Sequence, residues 1–134
     1  MVVRNLLIPW QAYEAMRAHA EFCSPLECCG LLAGSTPDRV SFVYPLTNAD
    51  LSPVAYTIEP YEHYRAWKHA EHNGWTLIGA FHSHPQGPAH PSPTDLRLAV
   101  EPDWVYVIVS GARMRGFLLN DHSATEVGLV IPFL

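Results

Sequence analysis

Gly79-Ala80-Phe81-His82-Ser83-His84-Pro85, followed by Ser92-Pro93-Thr94-Asp95, decides how the rest of this chain is read. Two histidines stand one residue apart at the end of an apolar run through Trp75, Leu77, Ile78 and Phe81. On a strand, alternate side chains share a face, so His82 and His84 would project to the same side, within reach of one ion. Imidazole and carboxylate ligands suit tetrahedral zinc, and a catalytic zinc keeps one position for water. Asp95 is the natural third ligand. Pro85, Gly87, Pro88, Pro91 and Pro93 stand between, a composition that reads as a shaped loop returning Asp95 to the metal. Ser92 is a helix N-cap candidate, Pro93 suits the first helical position, and Asp95 falls in the first turn, near the positive end of the helix dipole. A lone His-x-His on a strand is more often structural or superficial. Ser92 and Asp95 at this spacing turn the balance toward a metal.

A metallohydrolase also needs a group to take and deliver the proton of the attacking water. The upstream candidate is Glu27, in Ser24-Pro25-Leu26-Glu27-Cys28-Cys29-Gly30-Leu31-Leu32-Ala33-Gly34, just ahead of an apolar, glycine-bounded strand. Read from its neighbours alone, such a carboxylate is more often a solvated residue at a strand entrance.

Glu27, then His82-Ser83-His84, then seven residues, then Ser92, two residues and Asp95 resembles the complete JAMM signature, the metalloprotease motif of the MPN-plus (Mov34/PAD-1) domain. Pro25-Leu26-Glu27-Cys28-Cys29-Gly30 is similar to the family's Pro-x-Glu-x-Cys-Gly stretch. The resemblance covers nearly the whole chain and implies one JAMM domain over residues 1–134. The fold it implies is α/β (α+β), a three-layer α/β/α domain with a mixed central sheet, similar to cytidine deaminases. It also implies one zinc ion (Zn2+) with a bound catalytic water, held by His82, His84 and Asp95. Glu27 would be the general acid/base, and Ser92 would hydrogen-bond the oxyanion or order the water. The implied reaction is hydrolysis of a peptide or isopeptide bond after the C-terminal Gly-Gly of a ubiquitin-like protein. Thr47-Asn48-Ala49-Asp50-Leu51-Ser52-Pro53 with Tyr56, and Ala99-Val100-Glu101-Pro102-Asp103, resemble small prokaryotic members, some of which process ubiquitin-like sulfur-carrier proteins.

Competing readings are a peptidase on cell-wall or other small peptides and a non-catalytic module that binds ubiquitin-like proteins. No secretion signal or wall-binding segment supports the first, and the intact motif argues against the second. A zinc nucleobase deaminase would need a Pro-Cys-x-x-Cys ligand pair, which this chain does not have. DNA-repair-associated relatives carry an added helical region that does not fit in this length.

The 134 residues suit one domain with a proper core, and 49% hydrophobic with 16% charged residues argues against disorder. A net charge of −5 without any Lys/Arg run excludes a phosphate-binding footprint, so no nucleic acid is expected. An acidic protein partner would need local cations such as Arg65 or Lys68, or backbone pairing. Met1 to Ile8 is mostly apolar but far too short to span a bilayer, and with no signal-peptide pattern the expectation is a cytoplasmic protein without membrane contact. Cys23, Cys28 and Cys29 form no Cys-x-x-Cys pair, so no disulfide framework is read.

Periodicity predicts a strand at Leu6–Ile8 and a helix opening at Pro9, with Trp10, Tyr13, Met16 and Ala20 in phase. Strands are expected at Cys28–Ala33, Val40–Leu46, Tyr56–Ile58 and Trp75–His82, with a second helix over Tyr61–His72 and a short one over Thr94–Val100. Three more strands should lie near Val105–Ser110, Met114–Leu119 and Ala124–Ile131. His63, His69 and His72 read as surface residues of the second helix, and His90 carries no assignment. Trp104 and Tyr106 read as core or sheet-face aromatics. Exposed edge strands and the Trp/Tyr-rich second helix leave a homodimer open.

Overall fold

The computed structural model of the chain describes residues 2–132. The first strand, β1 (Asn5–Leu7), leads into helix α1 (Trp10–Cys23), and then come β2 (Cys29–Gly34) and β3 (Phe42–Leu46). Helix α2 (Pro60–His72) precedes β4 (Thr76–Ser83), and the short helix α3 (Pro93–Leu98) precedes β5 (Val105–Ser110), β6 (Arg113–Asn120) and β7 (Ser123–Val130). The strands form one seven-stranded sheet in the order β1-β7-β6-β5-β4-β2-β3. The pairs β4–β5 and β1–β7 are parallel and the others antiparallel, so the sheet is mixed, as expected.

Two apolar clusters show the layers. On one face Met16 of α1 packs with Leu32, Ile78, Phe81, Val105 and Val107. On the other, Ala66 and Ala70 of α2 pack with Leu31, Ala80, Tyr106 and Ile108, and Leu96 of α3 lies against them. Each large side chain sealed this way contributes about 1.5–3 kcal/mol over exposure, which outweighs the weak intrinsic preference of such short helices. The expected three-layer α/β/α arrangement is therefore present.

The helix starts follow local chemistry. Glu59 caps α2 by accepting hydrogen bonds from the Tyr61 and Glu62 amides, with Pro60 at the first turn. The second helix thus opens one residue earlier than the periodicity suggests. The expected strand at Tyr56–Ile58 does not form; Ile58 makes only an isolated bridge to Asn48. The reason is the Asn48 side chain, which bonds the Ala55 carbonyl and the Thr57 amide and so uses groups that a ladder would need. Similarly, β3 begins at Phe42, because Val40 gives its amide to the Leu7 carbonyl instead.

One irregularity sets the face of the chemistry. In the β2–β4 pairing, Leu32 faces Gly79 and Ala33 faces Leu77, so Ile78 is an extra residue in β4. Such a bulge shifts the alternation by one. Leu77 and Ala80 consequently lie on the α2 side, and Ile78 and Phe81 on the α1 side. Beyond the bulge the alternation carries His82 to the α2 side. Gly30, across from Phe81, has no room for a side chain: a Cβ there would run into the Phe81 ring and the Tyr44 carbonyl oxygen.

Candidate metal centre and active site

His82 is the penultimate residue of β4, beside Cys29 on β2 and Ile108 on β5, and only 1% exposed. His84 follows the strand, and its amide donates to the Val109 carbonyl, which extends the alignment with β5 by one residue. Pro88 then folds its carbonyl back to the His84 ring, 2.8 Å from Nδ1. A carbonyl only accepts, so His84 carries its proton on Nδ1 and turns Nε2 to the site.

Asp95 arrives from the other side on α3. The Ser92 hydroxyl oxygen accepts from the Asp95 amide at 3.1 Å, and the Asp95 carboxylate accepts from the Ser92 amide at 2.9 Å, a closed capping box. The helix start read at Ser92 is thus the device that aims Asp95. His82 Nε2, His84 Nε2 and Asp95 Oδ2 come together with all three separations 3.1 Å. Burial keeps His82 below the usual imidazole range despite Asp95. Burial also lowers His84, but Asp95 and the Pro88 carbonyl outweigh it and raise the ring overall. Asp95 itself, though buried, is held well below the usual carboxylate range by the two imidazoles.

Three electron-rich atoms converging this closely need a shared positive charge. Donors about 2.0–2.1 Å from a tetrahedral zinc lie about 3.3 Å from one another, close to the observed triangle. The donor set and its spacing therefore fit a metal ion, and these residues are the group among the described ones whose ligand atoms could hold one.

Glu27 precedes β2. The Cys28 amide donates to Ser83 Oγ at 2.8 Å and Ser83 donates its amide to the Cys28 carbonyl, tying the entrance of β2 to the His82–His84 turn. Glu27 is 4% exposed, and its Oε1 has no hydrogen-bond partner among the described residues. Burial pushes its carboxyl up to about 7, a shift that His84 opposes and Asp95 reinforces. This is the balance a residue that both takes and gives a proton near neutrality requires. Glu27, His84 and Ser92 line one cavity of about 470 Å³, walled by prolines of the site loop. A second cleft, of about 390 Å³, reaches His82 and Asp95 and is lined by Tyr56, His63, Trp104 and Tyr106.

All five residues singled out in the sequence are thus brought to one place. His90 is not drawn into the triangle; it lines the proline-walled cavity and packs edge-on against Phe117, ring centroids 5.6 Å apart. His69 belongs to an aromatic surface cluster with Tyr44, whose hydroxyl lies 2.8 Å from its Nδ1. All three cysteines are free, and burial pushes the Cys28 and Cys29 thiols up to about 12, which leaves them poor nucleophiles. Trp104 and Tyr106 do more than fill the sheet face, since they wall the second cleft.

Two contributors escaped a reading from residue types. Asn48, buried in the segment between β3 and α2, accepts from the Asp50 and Thr57 amides and donates to the Ala55 and Glu27 carbonyls. Tyr56, on the same segment, stacks on the His82 ring with centroids 4.5 Å apart. The signal available was a turn-rich stretch, Thr47 to Pro53, with an aromatic just beyond it.

The family of prokaryotic homologs of the JAB domain, Prok-JAB, matches residues 9–120. The chain belongs to this family. The CysO-cysteine peptidase of Mycobacterium tuberculosis is 37% identical to it over 127 residues, spanning 90% of this chain and 87% of the relative. A Thermus thermophilus protein named "Probable TtuB-protein conjugate cleaving protease" is 40% identical over 129 residues, 94% of this chain and 82% of its own length. The solution structure of a Desulfitobacterium hafniense protein matches with a TM-score of 0.86 at 38% identity, over 95% of this chain and 92% of that one. The expected JAB-type fold and peptidase class are borne out by these relatives. Among the described residues no helix of this JAB domain is long and apolar enough to cross a membrane.

Proposed function

We propose that this JAB domain, acting as a single cytoplasmic domain over residues 1–134, is a zinc peptidase. It would cleave the bond after the C-terminal Gly-Gly of a ubiquitin-like, sulfur-carrier-type protein, releasing an amino acid or a conjugated protein. The observation that carries the reading is the triangle of His82, His84 and Asp95 donor atoms beside a buried Glu27 whose Oε1 has no hydrogen-bond partner among the described residues. The names of the relatives support the substrate class: one is named a CysO-cysteine peptidase, another a probable TtuB-protein conjugate cleaving protease.

A zinc ion held by His82, His84 and Asp95 would acidify water and polarise a carbonyl. Glu27, whose carboxyl is raised by burial, takes the proton of the attacking water and returns it to the leaving amine. Ser92 Oγ already accepts from the Asp95 amide, so its own proton is free for the oxyanion. The two clefts acquire a direction from this assignment. Glu27 lines the proline-walled cavity and not the 390 Å³ cleft, so the amine it protonates lies in the former. The acyl side, the Gly-Gly tail, then occupies the 390 Å³ cleft along Tyr56, Thr57 and Ile58. The Thr57 amide and carbonyl are already taken by Asn48 and Ala49, so an extended tail here would pair with the backbone groups of Tyr56 and Ile58.

The test is mass spectrometry of ubiquitin-like carriers extended beyond Gly-Gly, incubated with zinc-loaded enzyme. Cleavage after the second glycine, lost on chelation, is expected. Glu27→Gln should retain zinc and lose about 10²–10⁴-fold in turnover. A Glu27→Gln enzyme turning over at wild-type rate would remove Glu27 from the chemistry.

A further inference from the structure

A histidine that ligates a metal ordinarily donates its other ring N–H to a carboxylate, carbonyl or water, which fixes the tautomer and the direction of the lone pair; loss of that partner costs about 10–100-fold in metal affinity. His84 obeys this, through Nδ1 and the Pro88 carbonyl at 2.8 Å. His82 does not. Its Nδ1 is buried with no hydrogen-bond partner among the described residues. No hydrogen bond among the described residues therefore fixes rotation about the Cβ–ring bond at the far side of the ring.

The restraint comes from a ring face. Tyr56 lies over the imidazole, centroids 4.5 Å apart and planes inclined by 25°, while His84 meets it edge-on at 4.9 Å and 60°. Tyr56 is not free to drift. The Ala55 carbonyl before it and the Thr57 amide after it are both held by the one Asn48 side chain. That side chain also holds the Glu27 carbonyl at 3.1 Å, and the Glu27 amide donates to Ser52 on the same segment.

We propose that Tyr56 is a positioning residue for the metal ligand His82, its stacked ring standing in for the missing hydrogen bond, and that the Asn48-wired segment thereby sets one metal ligand and the base together. The inference rests on the metal reading of the triangle and extends it to a residue outside the ligand set. Stacking needs the flat ring and not the hydroxyl, which makes the proposal separable from a general packing role.

The experiment measures zinc affinity of metal-stripped wild type, Tyr56→Phe and Tyr56→Leu by competition with a chromophoric chelator, with cobalt(II) absorption spectra and melting of the metal-free proteins alongside. Tyr56→Phe should bind zinc within about twofold of wild type, and Tyr56→Leu about tenfold or more weakly with an altered cobalt spectrum. A Tyr56→Leu protein with wild-type affinity and spectrum overturns the proposal; so does Tyr56→Phe weakened as far as Tyr56→Leu. Should Tyr56→Leu not fold, Tyr56→Met fills the space without a flat face and is judged by the same criterion. Failure of wild type to bind one zinc, or undiminished binding by His82→Ala, would instead defeat the metal reading itself.

Discussion

In metal-free protein, Glu27 should make stability fall with rising pH, and Glu27→Gln should remove that fall. The carboxyl has an ordinary value of 4.5 and is pushed up to about 7 by burial in the fold. A raised folded value means that the native state holds the proton more tightly than the unfolded chain. The contribution is fully present below 4.5 and is lost as pH rises through 7. With 1.36 kcal/mol per unit, the loss between about pH 5 and pH 8 comes to roughly 2–3 kcal/mol. For a domain of this size that is a difference of roughly 10 °C in Tm. The assay is chemical denaturation of chelated wild type and Glu27→Gln at both pH values. Comparing each protein with itself across pH cancels the constant effect of placing an amide at this position. The variant should lose roughly 2–3 kcal/mol less than wild type, and zinc at pH 8 should narrow the gap, since a cation beside the carboxylate offsets its desolvation. Two proteins with parallel pH dependence would refute the reasoning, because Glu27 would then be as well solvated in the fold as out of it.

Other outcomes follow from the same geometry. Asp95→Asn should weaken zinc binding by at least about 100-fold in chelator competition, since it removes the one anionic donor; unchanged metal content would take Asp95 out of the ligand set. Ser92→Ala should lose about 1 kcal/mol of stability with the N-cap, whereas Ser92→Gly should lose only a few tenths. Both should lose roughly 10²–10³-fold in turnover, and a fully active Ser92→Gly would show that the hydroxyl donates nothing to the reaction. Gly30→Ala forces a methyl group against the Phe81 ring and the Tyr44 carbonyl, and should lower stability by about 1–3 kcal/mol in denaturant unfolding.

The site was legible in the sequence where identity and spacing carry the chemistry. His82, His84, Ser92 and Asp95 need only a strand end, a proline-shaped loop and a helix start to converge, and each of those has a local signature. Glu27 was nominated by its place before an apolar strand together with a family resemblance; what makes it a poised acid/base is its burial, which depends on the Cys28–Ser83 bonds from across the sheet. Less was legible where side chains divert backbone groups. Tyr56–Ile58 has the composition of a strand, yet Asn48, several residues away, takes its hydrogen bonds. Trp104 and Tyr106 look like filling for a sheet face, and only the fold shows that this face opens into the cleft beside His82. The parallel pairing of β1 with β7 joins opposite ends of the chain and has no local mark at all.

The extra residue at Ile78 gives β4 a reading frame. Upstream of it the strand answers to the packing of the core; downstream it answers to the metal ligands, and the two obey alternations one step out of phase. Paired at the same length without the bulge, the strand would turn His82 toward α1, away from Asp95. Deleting Ile78 instead removes the extra residue, keeps Leu32 opposite Gly79 and Ala33 opposite Leu77, and leaves His82 on its face at the cost of one apolar contact with the α1 layer. Which way the histidines look is thus decided by an irregularity of the ladder, which a comparison that scored only the presence of the motif would not register.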